Sequence, residues 1–212
     1  MSNQHLPVKP LKLFIMAQKG KLTTADYLPH AECVRLVERL HEEENYLWEL
    51  YCVLAFSFGL RASDVLSLRW MDILDKKFLI KIEKKTQKPR KIKINNEVRA
   101  RIKKLYFLMS SPDKENYAIL NHNTHLPYSI WTVNRIFQRF KYKYALNIRA
   151  FSTHSFRKSF GRHVYDITEN KSEALLRLQQ ALNHTDPQTT MCYIGLVQED
   201  IDQIYDSISL NA

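Results

Sequence analysis

A single change of hydrophobic period limits what this chain can fold into. Val34, Leu36, Val37 and Leu40 recur at helical spacing, as do the apolar residues of 45–58. Between Phe78 and Ile94 the period drops to two. Phe78, Ile80 and Ile82 alternate with Leu79, Lys81 and Glu83, and Ile92 and Ile94 alternate with Lys91 and Lys93. Lys85-Thr86-Gln87-Lys88-Pro89 supplies the turn between them. Helical spacing then returns in Val98, Ile102, Leu105 and Leu108. One hairpin inside a helical chain predicts a mainly α fold with a small antiparallel β-sheet, an α+β class.

Cap and stop residues place the elements. Pro29 suits the first turn of a helix reaching about 41, and Gly59 closes a second over about 45–58. A short third covers 62–69. Asn95 or Asn96 caps the helix after the hairpin, and Ser129 opens one with Ile130, Val133, Ile136, Phe137 and Phe140. Further helices are expected over 154–166, 172–182, 187–193 and 198–207. The organisation read from this is an irregular basic leader over 1–27, a main unit over 28–195 and an amphipathic C-terminal helix over 196–212.

Lys and Arg outnumber Asp and Glu by 32 to 22, a formal charge of +10. That excess favours a polyanion such as nucleic acid, although many basic proteins carry such charge for solubility alone. Tyr46 to Leu60 is the most apolar run, but it holds Glu49 and falls short of the roughly twenty residues a bilayer requires. It reads as a buried helix, with no membrane association. Lys9, Pro10 and Lys12 interrupt any signal peptide. Cys33, Cys52 and Cys192 are odd in number and widely spaced, so neither a disulfide frame nor a zinc knuckle is expected, and a reducing, cytoplasmic setting is. His122 and His125 lack a nearby Cys or carboxylate partner and read as a polar loop, with no metal site.

Four local patterns could carry chemistry, and each has an ordinary structural explanation. Gly59-Leu60-Arg61-Ala62-Ser63-Asp64 sets an Arg at a helix joint, with Asp64 able to orient it; it is also an ordinary helix end. Lys85, flanked by Lys84, Lys88 and Arg90, sits on a hairpin tip that is either solvated or aimed into a groove. His154 and Arg157 share a helical face. Leu182-Asn183-His184 ends a helix, and Tyr193 follows on a short one, where packing would explain it equally well.

Taken together and in this order, these residues resemble the tyrosine recombinase (phage integrase) family, from about Tyr27 to Gly195. The resemblance implies that family's catalytic-domain fold, with Arg61, Lys85, His154, Arg157 and His184 catalytic and Tyr193 the nucleophile. It implies a site-specific recombinase that cleaves and rejoins DNA through a 3′-phosphotyrosyl link, without metal or cofactor. Three departures are visible. Asn183 stands where the family has Gly, an enlarged loop is expected near 169–172, and the family's N-terminal DNA clamp does not precede the unit.

Guanidiniums bind phosphoryl oxygens in a fork, so Arg61 and Arg157 suit a transition-state clamp. His154 suits a general base for the weakly acidic phenol, Lys85 a general acid for the leaving oxygen, and His184 a hydrogen bond to phosphate. Lys84, Lys88, Arg90, Arg135, Arg139, Lys141 and Lys143 are candidate contacts to double-stranded DNA, several of them equally explicable as surface charge. Ile201, Ile204 and Ile208 beside Glu199, Asp200 and Asp202 form the tail helix; it packs at home or on a neighbour in a homo-oligomeric, tetrameric synapse. Two alternatives stay open, a type IB topoisomerase and a non-catalytic DNA-binding relative.

Overall fold

Cap chemistry sets most helix boundaries. The computed structural model describes residues 25–82, 85, 87, 89–196, 203 and 205–207. Helix α1 (His30–Glu42) follows Pro29, and α2 (Tyr46–Phe58) stops at Gly59 in the left-handed conformation. Asn95 accepts from the Val98 N–H to open α5 (Asn96–Leu108), and Ser129 accepts from Thr132 to open α6 (Ile130–Lys143). Three further helices complete the described order: α7 (Thr153–Ile167), α8 (Lys171–Leu182) and α9 (Pro187–Ile194).

Helix α2 is the central strut. Leu50, Tyr51, Cys52, Leu54, Ala55 and Phe58 are all buried, and α1, α5 and α7 pack around them. Glu49 is fully buried too, but it is paired. Arg101 on α5 donates to it at 2.5 Å, and His41 Nδ1 on α1 lies 2.8 Å from its other oxygen. The one carboxylate in the most apolar run thus ties three helices together.

Two apolar clusters flank α7. Phe156 faces the main core with Phe137 and Phe151, while Phe160 and Val164 pack on a smaller cluster of Leu178, Leu182, Tyr193, Ile194 and Leu196. The N-terminal approach is also pinned to α7: Leu28 N–H donates to Ser159 Oγ at 2.8 Å, and Asp26 N–H to the Ala150 carbonyl at 2.9 Å. The leader expected over 1–27 is therefore part of the fold by residue 25.

The hairpin pairs β1 (Phe78–Ile82) with β2 (Pro89–Lys93), antiparallel, from Phe78 opposite Lys93 to Ile82 opposite Pro89, so Pro89 belongs to the strand and not to the turn. Its faces run against hydrophobicity: Leu79 is buried, while Phe78, Ile80 and Ile82 are 42%, 72% and 62% exposed.

Three details correct the expectations. The helix expected over 62–69 ends early, as α3 (Ala62–Val65), and a second short helix, α4 (Trp70–Ile73), follows beyond the expected range. Between them Arg69 turns extended, bridges to Tyr117 and receives the Asp72 cap, which lets both Leu68 and Trp70 be buried. A second, minimal sheet joins β3 (Leu120–Asn121) to β4 (Leu126–Pro127) around exposed His122 and His125. The loop expected to be enlarged near 169–172 is only residues 168–170. Thr168 Oγ donates back to Val164, Asn170 caps α8, and Lys171 Nζ donates to the Tyr165 and Asp166 carbonyls, so helix occupies the added length. The tail residues Val197, Glu199, Asp200, Ile201, Asp202, Ile204 and Ile208 lie outside the described residues, as do 1–24, Lys84 and Lys88.

Candidate active site

Two helix ends converge on one guanidinium. Arg157 is 2% exposed on α7; its Nη1 donates to the Gly59 carbonyl at 2.7 Å and its Nη2 to the Leu182 carbonyl at 2.5 Å. Both acceptors sit where a helix terminates in a left-handed residue, Gly59 for α2 and Asn183 for α8. These terminal carbonyls have no intrahelical donor and carry the negative end of a helix dipole. Asn tolerates positive φ better than most side chains, so Asn183 (φ 52°) preserves the turn and His184 keeps its place after it.

The six sequence candidates come together around α7. Arg61 precedes α3 in extended backbone, two residues beyond the Gly59 carbonyl that holds Arg157. Charges of Arg157, Lys158, Lys85 and Arg61 all act on His154, which places the hairpin tip and the α2–α3 joint beside the start of α7. Burial first, and then those four charges, hold the His154 imidazole below its ordinary pKa. It is thereby neutral near pH 7 and able to accept a proton.

Tyr193 sits on α9, which Asp186 opens by accepting from the Thr189 N–H at 2.7 Å and which Gly195 closes at φ 87°. The ring is 8% exposed and packs T-shaped on His184, centroids 5.0 Å apart. His184 Nδ1 is in turn 3.1 Å from Thr190 Oγ1, on the same helix as Tyr193. Burial raises the phenol pKa, while the nearby charges of Arg157 and Arg61 draw it down. Arg157 comes close without forming a well-aligned bond: the phenol oxygen has no hydrogen-bond partner among the described residues.

The outer cations divide. Arg135 stacks over Trp131, 4.6 Å from the ring centroid, and lies with Arg139 on the exposed face of α6. Neighbouring Asn134 accepts from the Thr153 N–H at 2.9 Å, so this face adjoins the His154 end of α7. Lys141 instead donates to the Arg149 carbonyl, Lys143 pairs with Glu43 at the end of α1, and Arg90 donates to the Phe58 carbonyl at the end of α2. Lys158, half-buried beside the phenol, is absent from the sequence candidates. Its position one residue after Arg157 and four after His154 was the available signal. Among the described residues no three His, Cys, Asp or Glu side chains group closely enough to hold a metal ion.

This fold and this convergence define a tyrosine recombinase catalytic domain. The sequence model of the Phage integrase family matches residues 26–199, and the chain belongs to that family. It is 30% identical over 178 residues to the Probable integrase/recombinase YoeC of Bacillus subtilis (strain 168), covering 81% of this chain and 93% of that one. Its fold is similar to that of the XerA recombinase, with TM-score 0.65, 20% identity, and coverage of 85% of this chain and 64% of XerA. It is similar also to the XerH site-specific recombinase bound to a palindromic difH substrate, with TM-score 0.64, 15% identity, and coverage of 87% and 54%. The chain thus spans about two-thirds to one-half of those two solved proteins.

Proposed function

We propose that this domain is the catalytic part of a site-specific recombinase that binds double-stranded DNA and cuts it with Tyr193. The observation that carries the reading is the meeting, around one buried Arg157, of a neutral His154, the Arg61 guanidinium and a Tyr phenol. The Tyr193 oxygen attacks phosphorus while His154 takes its proton. A 3′-phosphotyrosyl bond forms as the bond to the 5′-oxygen breaks, and Lys85 protonates that leaving oxygen. Arg61 and Arg157 neutralise the charge gathering on the non-bridging oxygens, and His184 donates to one of them. Reversal by a new 5′-hydroxyl rejoins the strand. Tyr193 is buried before DNA arrives, so its uncovering belongs to the reaction.

Arg135 and Arg139, on the exposed α6 face adjoining the site, are the better placed of the outer cations to meet the DNA backbone. A tetrameric synapse and a cytoplasmic location complete the reading. Among the described residues no helix is long and apolar enough to cross a membrane. The test is a nicked duplex incubated with protein and run on a denaturing gel. A covalent adduct in wild type that vanishes in Tyr193→Phe is expected. Binding without an adduct would leave a non-catalytic DNA-binding relative, and relaxation of supercoiled plasmid without strand exchange would indicate a topoisomerase.

A further inference from the structure

The proposed nucleophile has a feature its chemistry does not explain. Its hydroxyl makes no well-aligned hydrogen bond among the described residues, although Arg157 comes close, yet its ring must be held to a narrow range of orientations for in-line attack. Two polar side chains meet the ring, which otherwise lies in the apolar cluster with Leu178, Leu182, Ile194 and Leu196. His184 meets it T-shaped, and Lys158 Nζ lies over it, 5.4 Å from the centroid. A cation within about 6 Å of an aromatic face is attracted by the ring's quadrupole, and more strongly where water is excluded.

Lys158 is well placed to hold still. It projects from α7 one residue after Arg157, which is locked to two carbonyls. Burial disfavours its charge, and Asp26 supports it. Asp26 is itself fixed, accepting from the Ala150 N–H at 2.9 Å and lying 3.7 Å from Arg149. Asp26 thus links the N-terminal approach electrostatically to Lys158, whose ammonium lies over the ring of Tyr193.

Resting on the reading above, we infer that Lys158 is a positioning residue: its ammonium grips the Tyr193 ring and leaves the hydroxyl unencumbered for attack. The same ammonium is one of four cations acting on His154, with Arg157 on α7, Lys85 on the hairpin and Arg61 before α3. Loss of its charge therefore has a second, separate signature.

The test compares Lys158→Met and Lys158→Arg in single-turnover adduct formation on a nicked duplex across pH, with DNA affinity measured in the Tyr193→Phe background. Lys158→Met is expected to slow adduct formation about tenfold. Its DNA dissociation constant should stay within about twofold, and the acid limb of its pH profile should move up as His154 regains proton affinity. Lys158→Arg keeps a cation over the ring and should recover most of the rate. An unchanged rate in Lys158→Met overturns the inference, as does a loss in proportion to DNA affinity, which would mark Lys158 as a phosphate contact. In the resting protein, nuclear Overhauser contacts between the Lys158 side chain and the Tyr193 ring are expected whether or not it cleaves DNA. Their absence also overturns the inference, while absence of any wild-type adduct overturns only the catalytic reading.

Discussion

Gly59 presents one of the two carbonyls that hold Arg157 and Asn183 follows the other, that of Leu182, but these two left-handed residues are not equally replaceable. A Cβ at Gly59 would lie 2.4 Å from Phe160 Cδ1, on a residue already at φ +53°. Gly59→Ala is expected to lower stability by about 2–3 kcal/mol, from left-handed strain and overpacking, read as a lower melting temperature. Its adduct formation should fall with the displaced Gly59 carbonyl. Asn183→Gly should leave adduct formation unchanged, whereas Asn183→Val forces a β-branched residue into positive φ and should destabilise by about 1–2 kcal/mol. A neutral Gly59→Ala would contradict the geometry. His154 gives the pH prediction. Its folded pKa lies below the ordinary imidazole value, so as pH falls through that value the folded site is still neutral. Adduct formation should therefore persist into that range and fall only below it. His154→Gln should lose about a hundredfold in rate and the acid limb with it. An acid limb at the ordinary value, or one surviving in His154→Gln, would remove His154 from the base role.

At the scale of elements, α1, α2 and α5 are joined by Glu49. Replacing Arg101 with Met leaves a fully buried carboxylate with only His41, which argues for a loss of about 3 kcal/mol in urea denaturation. In a Glu49→Gln background the same substitution should cost much less, because no stranded charge remains. Equal costs in both backgrounds would mean that Arg101 acts by packing alone. The pairing also shows why sequence describes α2 only in part. The apolar length, the Gly59 stop and the buried character are all readable along the chain, but the partners of Glu49 lie on other helices, at 41 and 101. The hairpin poses the same limit. Period two gives its strands correctly, yet Leu79 is buried while the more numerous apolar residues Phe78, Ile80 and Ile82 stay exposed on the other face. Alternation says that two faces differ, and only packing says which is inward.

For the whole molecule, the site is assembled across the seam between the main core and the small α8–α9 cluster, with α7 belonging to both. That arrangement leaves Tyr193 on a short element whose packing is separate from the main core. The C-terminal segment follows directly, so docking of that segment on a neighbour would bias the position of α9. Deleting the residues after 196, which keeps Leu196 in the Tyr193 cluster, is accordingly expected to impair assembly on DNA, seen by native gel or light scattering, more than single-site adduct formation. Equal loss of both would place the segment at home on its own domain.

The fold class and most helix ends were legible because each rests on local chemistry, period and cap, whereas Arg61, Lys85, His154, Arg157, His184 and Tyr193 were singled out by a family resemblance in their order along the chain. The tertiary structure decided what depends on contacts between distant segments. It ended the helix expected over 62–69 at Val65, set a second short one after Arg69, and drew Arg90, Lys141 and Lys143 onto carbonyls or a carboxylate of the domain itself. It also brought Asp26, Lys158 and Tyr193 to one place. Charge on a side chain is written in the sequence, but its burial is not, and of the cations acting on His154 only Arg157 and Lys158 are near it in the chain, while Lys85 and Arg61 come from distant segments. His154 was therefore named from a family resemblance, while its lowered proton affinity, and the cation over the phenol, appear only once α7 is packed.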